Sequence, residues 1–403
     1  MTLDLASSRA TTLELRYLNG TFAELCRIAS PSGSERACAE RVIAELRALD
    51  VAVEEDDAGP RVGSDCGNLL ARIPASPRLA DVNGADAPAQ PARSILLCAH
   101  LDTVPLLAPV EPTLVDGYWE NANEGVLGAD NKAAIAVILA LARQVRREGA
   151  PLDIELLFTV GEETALAGAS AFDVARLRSE FGFVFDHASP IGEVVVDSPT
   201  HFRVEADFHG AAAHAGIRPE QGRSAIVAAA RAIATLEVGR LDEQTTLNVG
   251  TIAGGSAINV VPERCEFVAE VRSLDEQRAE RVVAELVERV HAAANLPECE
   301  CDVDVSVQRK FSGFHLPATR PAVRVAEAAL SACGYAPTRI PSGGASDANA
   351  LIAQGLDVVN LANGTEQNHE PGERVSVEAL ERTLDVALAL LDAASGSFAD
   401  AAR

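Results

Sequence analysis

The sequence predicts an α/β protein: a mostly parallel sheet with flanking helices, into which a second, ferredoxin-like α+β module is inserted. Two observations carry this prediction. In the first half of the chain, patterns with helical spacing alternate with short apolar runs typical of buried strands, such as SILLCA at 94–99. Residues 201–308 instead read strand, helix, strand, strand, helix, strand, which is the ferredoxin-like order.

Each element rests on its own periodicity. The helices predicted from apolar residues at helical spacing are 11–29, 34–49, 131–147, 222–237, 276–293, 319–334 and 376–393. The strands predicted from apolar or alternating runs are 51–55, 67–73, 94–99, the run ending at Val160, the run ending at Asp186, 201–208, 246–252, 264–272, 302–307 and 357–361. Four prolines within 74–93 predict a mobile surface insertion.

These elements divide the 403-residue chain into domains. We expect a catalytic domain built from residues 1–198 and 312–403, with a lid domain at 199–311 between them. A chain of this length has room for two or three domains and a sizeable core.

Composition excludes several classes of protein. The net charge of −25 disfavours a nucleic-acid binder, which needs basic residues to neutralise phosphates. No apolar run approaches the ~20 residues of a membrane span, and the amino terminus lacks the basic and apolar blocks of a secretory signal. The eight cysteines are scattered without a CxxC pair, which is typical of reduced thiols. We therefore expect a cytoplasmic protein that binds neither nucleic acid nor membrane.

Five residues with metal-ligand chemistry follow predicted strands or begin a predicted helix. They are His100 in AHLDT, Asp130 in GADNK, Glu163 in VGEET, Asp186 after FGFVF and His369 in NHEPGE. Each alone has a plain structural alternative, such as a helix cap or a solvated turn. Because the carboxyl ends of parallel strands share one edge of a sheet, the set together predicts a two-metal site with a shared carboxylate. Mixed imidazole and carboxylate ligands suit zinc, cobalt or manganese.

The combination of AHLDTV, GADNK, FTVGEET, a strand-ending Asp and a late His resembles the two-zinc exopeptidase family. That family includes peptidase T, aminoacylase, succinyl-diaminopimelate desuccinylase and glutamate carboxypeptidase, and GADNK and VGEET are most similar to the peptidase T branch. The resemblance implies that His100 and Asp186 bind one metal, that Glu163 and His369 bind the other, and that Asp130 bridges both. It also implies a cis peptide bond between Asp130 and Asn131, support of His100 by Asp102, and Glu162 as the general base.

The resemblance extends to the inserted lid. The segment FHGAAAHAG resembles the family's lid segment, and implies that His214 reaches the substrate and steadies the oxyanion. Asn259 and Arg272 match residues that hold a substrate carboxylate, for which an arginine offers bidentate pairing. The lid is also where a homodimer would form, with His214 acting in its own subunit or in the neighbouring one.

The expected function is hydrolysis of an amide bond in a small peptide, by a water held between two divalent metal ions, most simply zinc. A tripeptide aminopeptidase is the first interpretation, and an N-acyl amino acid deacylase is the alternative with the same chemistry. A catalytically inactive metal-binding protein is a third hypothesis, against which Glu162 argues, since a binder needs no base beside the water. A nucleotide-binding enzyme is excluded because no glycine-rich phosphate loop follows the first strand.

Overall fold

The computed structural model describes residues 9–77 and 93–401, with side chains as far as 398. The helices are α1 Thr12–Cys26, α2 Arg36–Ala48, α3 Ala58–Val62, α4 Ala129–Glu148, α5 Ala167–Ala171, α6 Ala225–Thr235, α7 Glu276–Ala294, α8 Pro321–Ala332, α9 Asp347–Ala353 and α10 Val377–Ala401. The strands are β1 Val53–Glu55, β2 Leu69–Ile73, β3 Ser94–His100, β4 Pro112–Val115, β5 Tyr118–Asn121, β6 Asp153–Thr159, β7 Phe181–His187, β8 Glu193–Ser198, β9 Thr200–His209, β10 Ala213–His214, β11 Gly239–Arg240, β12 Thr245–Gly254, β13 Val260–Val261, β14 Arg264–Ser273, β15 Asp302–Phe311, β16 Phe314–His315, β17 Thr338–Pro341, β18 Asp357–Ala362, β19 Thr365–Glu366 and β20 Arg374–Ser376. Most of the predicted insertion at 74–93 lies outside the described residues.

The chain forms two compact units. The first contains the residues up to Val196, together with His315–Ser342 and the residues from Ser346 onward. The second contains Asp197–Phe314 and the short segment Gly343–Ala345.

The first unit is built on a sheet with the strand order β1-β2-β6-β3-β7-β18-β8-β16. Its central strands β6, β3, β7 and β18 run parallel, while β1, β2 and β8 pair antiparallel at the sides. Every residue of β3 is buried, as the continuous apolar run predicts for a strand covered on both faces. The α/β prediction is therefore confirmed.

Helix α4 is the central helix of this unit. It packs against β3 and β7 and is itself covered by α1 and α10. Its apolar residues surround the helix rather than forming one stripe, so nearly all of 129–145 is buried. The residues at its beginning are thus held rigidly beside the carboxyl ends of the central strands.

The second unit has the ferredoxin-like order that the sequence predicts. Its long strands lie in the order β12-β14-β9-β15 and are all antiparallel, with the short β11 beside β12. Helices α6 and α7 pack on one face of this sheet and form a core with alternate residues of β9 and β14, including Phe208 and Phe267. The ferredoxin-like part of the prediction is confirmed.

Several bounds differ from the prediction for local reasons. Helix α6 begins at Ala225 rather than near 222, because Ser224 is its N-cap and accepts a hydrogen bond from Val227 N. Strand β15 continues to Phe311, beyond the alternating residues 302–307. The small sheet β19-β20-β5-β4 was not predicted from the sequence. No helix within the described residues combines the length and the apolarity that crossing a membrane requires.

Candidate metal centre

The carboxyl ends of three neighbouring parallel strands bring most of the predicted ligands to one edge. His100 is the last residue of β3 and pairs in register with Thr159 at the end of β6. Asp186 lies near the end of β7, and Glu163 lies in the 3₁₀ turn Glu162–Thr164 that follows β6. This edge is where open α/β sheets bind their ligands.

Asp130 reaches the same edge from the beginning of α4. Gly128, two residues earlier, has a φ of 75°, and a Cβ there would lie 3.2 Å from Thr103 Cγ2, so the turn favours glycine. The Asp130–Asn131 peptide bond is cis, in line with what the family resemblance implies.

Asp130 lies between two imidazole–carboxylate pairs. Its Oδ1 is 3.1 Å from His100 Nε2, which is also 3.5 Å from Asp186 Oδ1. Its Oδ2 is 3.2 Å from His369 Nε2, which is 2.9 Å from Glu163 Oε1. Each pair and Asp130 place their ligand atoms within 4.8 Å of one another. The structure therefore brings all five predicted residues together, with one oxygen of Asp130 facing each pair.

The small sheet that the sequence analysis missed positions His369. The antiparallel strands β19 and β20 flank the loop that carries this residue, and β20 pairs with β5. His369 itself has a φ of 67°. A non-glycine residue in this left-handed region costs of order 1–3 kcal/mol, and such residues cluster at functional sites.

The buried charges of the centre act strongly on one another. Burial and the neighbouring Asp130 raise the pKa of Asp186 well above its usual value, and burial with Asp186 nearby does the same for Glu162. The hydrogen-bonded carboxylate of Asp130 and the neighbouring carboxylate of Glu163 raise the pKa of His369 to about 10. Against the cost of burial, hydrogen bonds from His100 and His369 lower the pKa of Asp130. With both imidazoles neutral, the negative charge of the buried carboxylates is not compensated. Divalent cations bound among them would supply the missing positive charge.

One orphaned atom supports this conclusion. Glu163 Oε1 is buried and has no partner in hydrogen-bonding geometry among the described residues, although His369 Nε2 is near. A buried carboxylate oxygen left without a hydrogen bond is costly. Its lone pair fits a metal ion, so the donor set suits the two-metal hypothesis.

Asp102 makes more contacts than the sequence analysis expected. His100 Nδ1 lies 3.0 Å from the backbone oxygen of Asp102 and 3.4 Å from its Oδ1. The carboxylate also accepts hydrogen bonds from Glu162 N at 3.0 Å, Glu163 N at 3.1 Å and Ser32 Oγ at 2.7 Å. Because Asp102 is fully buried, it fixes the orientation of His100 and of the Glu162–Glu163 backbone at once.

Glu373 is a positioning residue that the sequence analysis missed. Its buried carboxylate accepts hydrogen bonds from Gly128 N at 2.7 Å and Asp130 N at 2.8 Å. These bonds hold the turn that presents Asp130 to both imidazoles. Asn368 adds a third constraint, since its Nδ2 donates to Asp130 Oδ2 at 2.9 Å. The only sequence signal was the position of both residues within NHEPGE.

Two further buried carboxylates lie beneath the centre. Glu35 accepts a hydrogen bond from Gly161 N at 3.1 Å, next to Glu162. Asp347 accepts a hydrogen bond from Thr159 Oγ1, and its pKa is raised to about 6, chiefly by burial. Both residues therefore brace the strand ends that carry the predicted ligands.

The predicted lid residues all lie in the second unit. His214 in β10 pairs with Val260 in β13, and Ala215 N donates to the Asn259 backbone oxygen at 3.0 Å, so His214 and Asn259 are neighbours. Arg272 lies separately on β14, where its Nη2 donates to Glu270 Oε2 at 3.1 Å. On this unit His214 and Asn259 are thus neighbours, and Arg272 lies on a different strand.

Known proteins that are similar to this chain identify its family. A model described as a peptidase dimerisation domain matches residues 200–295, and one described as peptidase family M28 matches 80–196. The crystal structure of the aminopeptidase PepT from Bacillus cereus is 34% identical, with a TM-score of 0.81 over 94% of this chain and 98% of that one. The chain belongs to the two-metal exopeptidase family of peptidase T.

Two other similar proteins match nearly the whole chain. A tripeptidase structure from Staphylococcus aureus is 29% identical with a TM-score of 0.85, covering 95% of this chain and 99% of that one. The uncharacterized protein YqjE of Bacillus subtilis is 32% identical over 93% of this chain and 97% of its own length. The likeness therefore includes both compact units.

Proposed function

We propose that this chain is a two-metal exopeptidase that removes the first residue from short peptides, most simply tripeptides. The observation that carries the proposal is Asp130, which presents one oxygen to each of two imidazole–carboxylate pairs. A single-ion site would not need a carboxylate shared in this way. Membership of the peptidase T family supports the same reaction class, and the intact Glu162 argues against an inactive metal-binding protein.

Two groups of ligands would hold the ions. His100, Asp186 and Asp130 would hold one, and Glu163, His369 and Asp130 the other. Nitrogen and oxygen donors of this kind favour zinc, with cobalt and manganese as alternatives. Bound there, the ions would polarise the scissile carbonyl and lower the pKa of a water molecule.

Glu162 is the general base in this proposal. Its side chain is 8% exposed, and its ligand atoms lie within 4.8 Å of those of His100 and Glu163. Burial and the neighbouring Asp186 raise the pKa of Glu162, which makes its carboxylate a stronger base. Glu162 would accept the proton of the attacking water and deliver it to the leaving amine, while Asp102 holds its backbone in place.

The second unit would bind the substrate. His214 is exposed and offers a ring for the developing oxyanion, and Asn259 lies beside it. The Arg272 guanidinium is 31% exposed and shares its donors with Glu270, so a substrate carboxylate would compete with Glu270 for it. We also propose that two copies associate through this unit, since residues 200–295 match the peptidase dimerisation model.

Blocking the amino terminus of the substrate distinguishes an aminopeptidase from a deacylase. We expect N-acetylation of a tripeptide to lower kcat/KM by at least about tenfold, because a partner for the free ammonium is left unpaired in the site. The measurement compares the free and the acetylated tripeptide on the same zinc- or cobalt-loaded preparation.

Arg272→Ala is the control for this comparison. It removes a contact with the carboxylate that both substrates carry, so it should reduce both rates alike. Turnover of the acetylated peptide at the rate of the free one, or faster, would replace the aminopeptidase with the N-acyl amino acid deacylase.

A further inference from the structure

A cavity of about 480 Å³ lies on the second unit, away from the proposed lid residues His214 and Asn259. Helices α6 and α7 cover one face of the sheet, and alternate residues of β9 and β14 form the core there. Residues of β9 and β14 that alternate with these core residues line the cavity, among them His201, Arg203 and Glu270. It therefore belongs to the helix-free face of the sheet.

Two β-bulges frame this cavity. In β12, Gly250 is an extra residue between Val249 and Thr251, which pair with consecutive residues of β14. In β15, Lys310 is an extra residue between Arg309 and Phe311, which pair with consecutive residues of β9. A bulge bends its strand and redirects a side chain, and bulges are common beside functional sites. Gly250 and Lys310 both line the cavity, so both bulges lie at its wall.

The side chains around the cavity offer donors to an anion. The Lys310 ammonium has no hydrogen bond or ion pair with any part of the chain that the structure describes. Arg203 is bonded through Nε alone, to Glu205 Oε1 at 2.6 Å, so its terminal nitrogens keep their donors. The Asn248 side chain completes this set of donors.

The nearby carboxylate does not cancel this charge. Glu270 Oε2 accepts from Arg272 Nη2 at 3.1 Å and lies 3.2 Å from His201 Nε2, so its charge is already balanced. His201 Nδ1 is buried without a hydrogen-bond partner among the described residues, and its ring packs on Phe311 with centroids 5.0 Å apart. Arg272 thus balances Glu270 and Arg203 pairs with Glu205, so the Lys310 ammonium is left as an uncompensated positive charge among the described residues at the cavity, on a chain whose net charge is −25.

We propose that this cavity binds an oxyanion through the Lys310 ammonium and the terminal nitrogens of Arg203. The oxyanion is either free, as inorganic phosphate is, or a second carboxylate of an acidic peptide. The second source rests on the proposed function: Arg272, assigned above to one substrate carboxylate, lies directly opposite His201 across β14 and β9. The first source is independent of it.

Phosphate binding to the full-length, metal-loaded protein tests the proposal by isothermal titration calorimetry. Lys310→Gln and Arg203→Gln should each weaken phosphate binding by about fivefold or more, the upper end for a partly exposed charge pair. Arg309→Gln is the matched control, because this substitution also removes one positive charge, one residue away. Arg309 itself is paired with Glu276 and Glu280 of α7. Any phosphate that binds at the proposed metal centre would contribute equally in all variants, so it does not affect the comparison between them.

Peptide kinetics separate the two sources. If the anion belongs to the substrate, Lys310→Gln should raise KM for a tripeptide with a Glu side chain by about fivefold and leave that for trialanine unchanged. If the anion is free, the variant should change phosphate binding alone. The proposal is overturned if neither measurement responds to Lys310→Gln, or if Arg309→Gln has the same effect. A failure to hydrolyse peptides would leave the phosphate result intact and would count against the proposed function only.

Discussion

Glu162→Gln should retain both metal ions and lose about 10²–10⁴-fold in kcat, the usual contribution of a general base. Glutamine has the shape of glutamate, and Asp102 Oδ1 still accepts the backbone N–H of residue 162. The amide cannot accept the proton of the attacking water. The measurement is steady-state kcat on a tripeptide, with metal content determined on the same sample.

The neighbouring residue provides the matched control. Glu163→Gln alters a proposed ligand 2.9 Å from His369 Nε2, so it should weaken one metal ion before it affects the chemistry. The two substitutions remove the same charge from adjacent residues. Glu162→Gln should lower kcat and keep the metal content, whereas Glu163→Gln should lower the metal content first. A near-normal kcat for Glu162→Gln would show that Glu162 is not the base.

Asp130→Asn should weaken both ions together. Each oxygen of Asp130 faces a different imidazole, at 3.1 Å and 3.2 Å, so the substitution alters both proposed ion positions. We expect a loss of metal affinity greater than the about 10–100-fold typical of a residue that only orients a ligand. Competition with a chelating dye gives the two dissociation constants.

Asp186→Asn separates a shared ligand from an ordinary one. Asp186 lies 3.5 Å from His100 Nε2 and belongs to one group alone, so this variant should lose one ion and keep the other. If Asp130→Asn also released one ion only, the carboxylate would not be shared.

Four of the five residues of the candidate metal centre could be located from the sequence because they end a strand, follow one closely or begin a helix. A strand fixes the position of the residue that follows it, so His100, Glu163 and Asp186 could be placed at one edge from the apolar runs that precede them. The order of elements in the second unit was predictable for a similar reason. Strict alternation in β9 and at the start of β15 reports a half-buried antiparallel strand.

The supporting contacts were not predictable from local patterns. Glu373 accepts hydrogen bonds from backbone N–H groups 243 and 245 residues away. Because nearly every residue has a backbone N–H, the sequence does not indicate which one is the donor. Asp102 was expected to face His100, but its acceptance of two further N–H groups depends on how the turn after β6 folds. The bulge at Lys310 falls where alternation has ended, so periodicity could not locate it.

Metal stoichiometry tests the central claim most directly. The metal-free chain is titrated with zinc or cobalt, and bound metal and tripeptide hydrolysis are followed on the same samples. A shared Asp130 predicts saturation at two ions per chain, with full activity reached only when the second ion is bound. Saturation at a single ion with full activity would contradict the bridged two-metal centre.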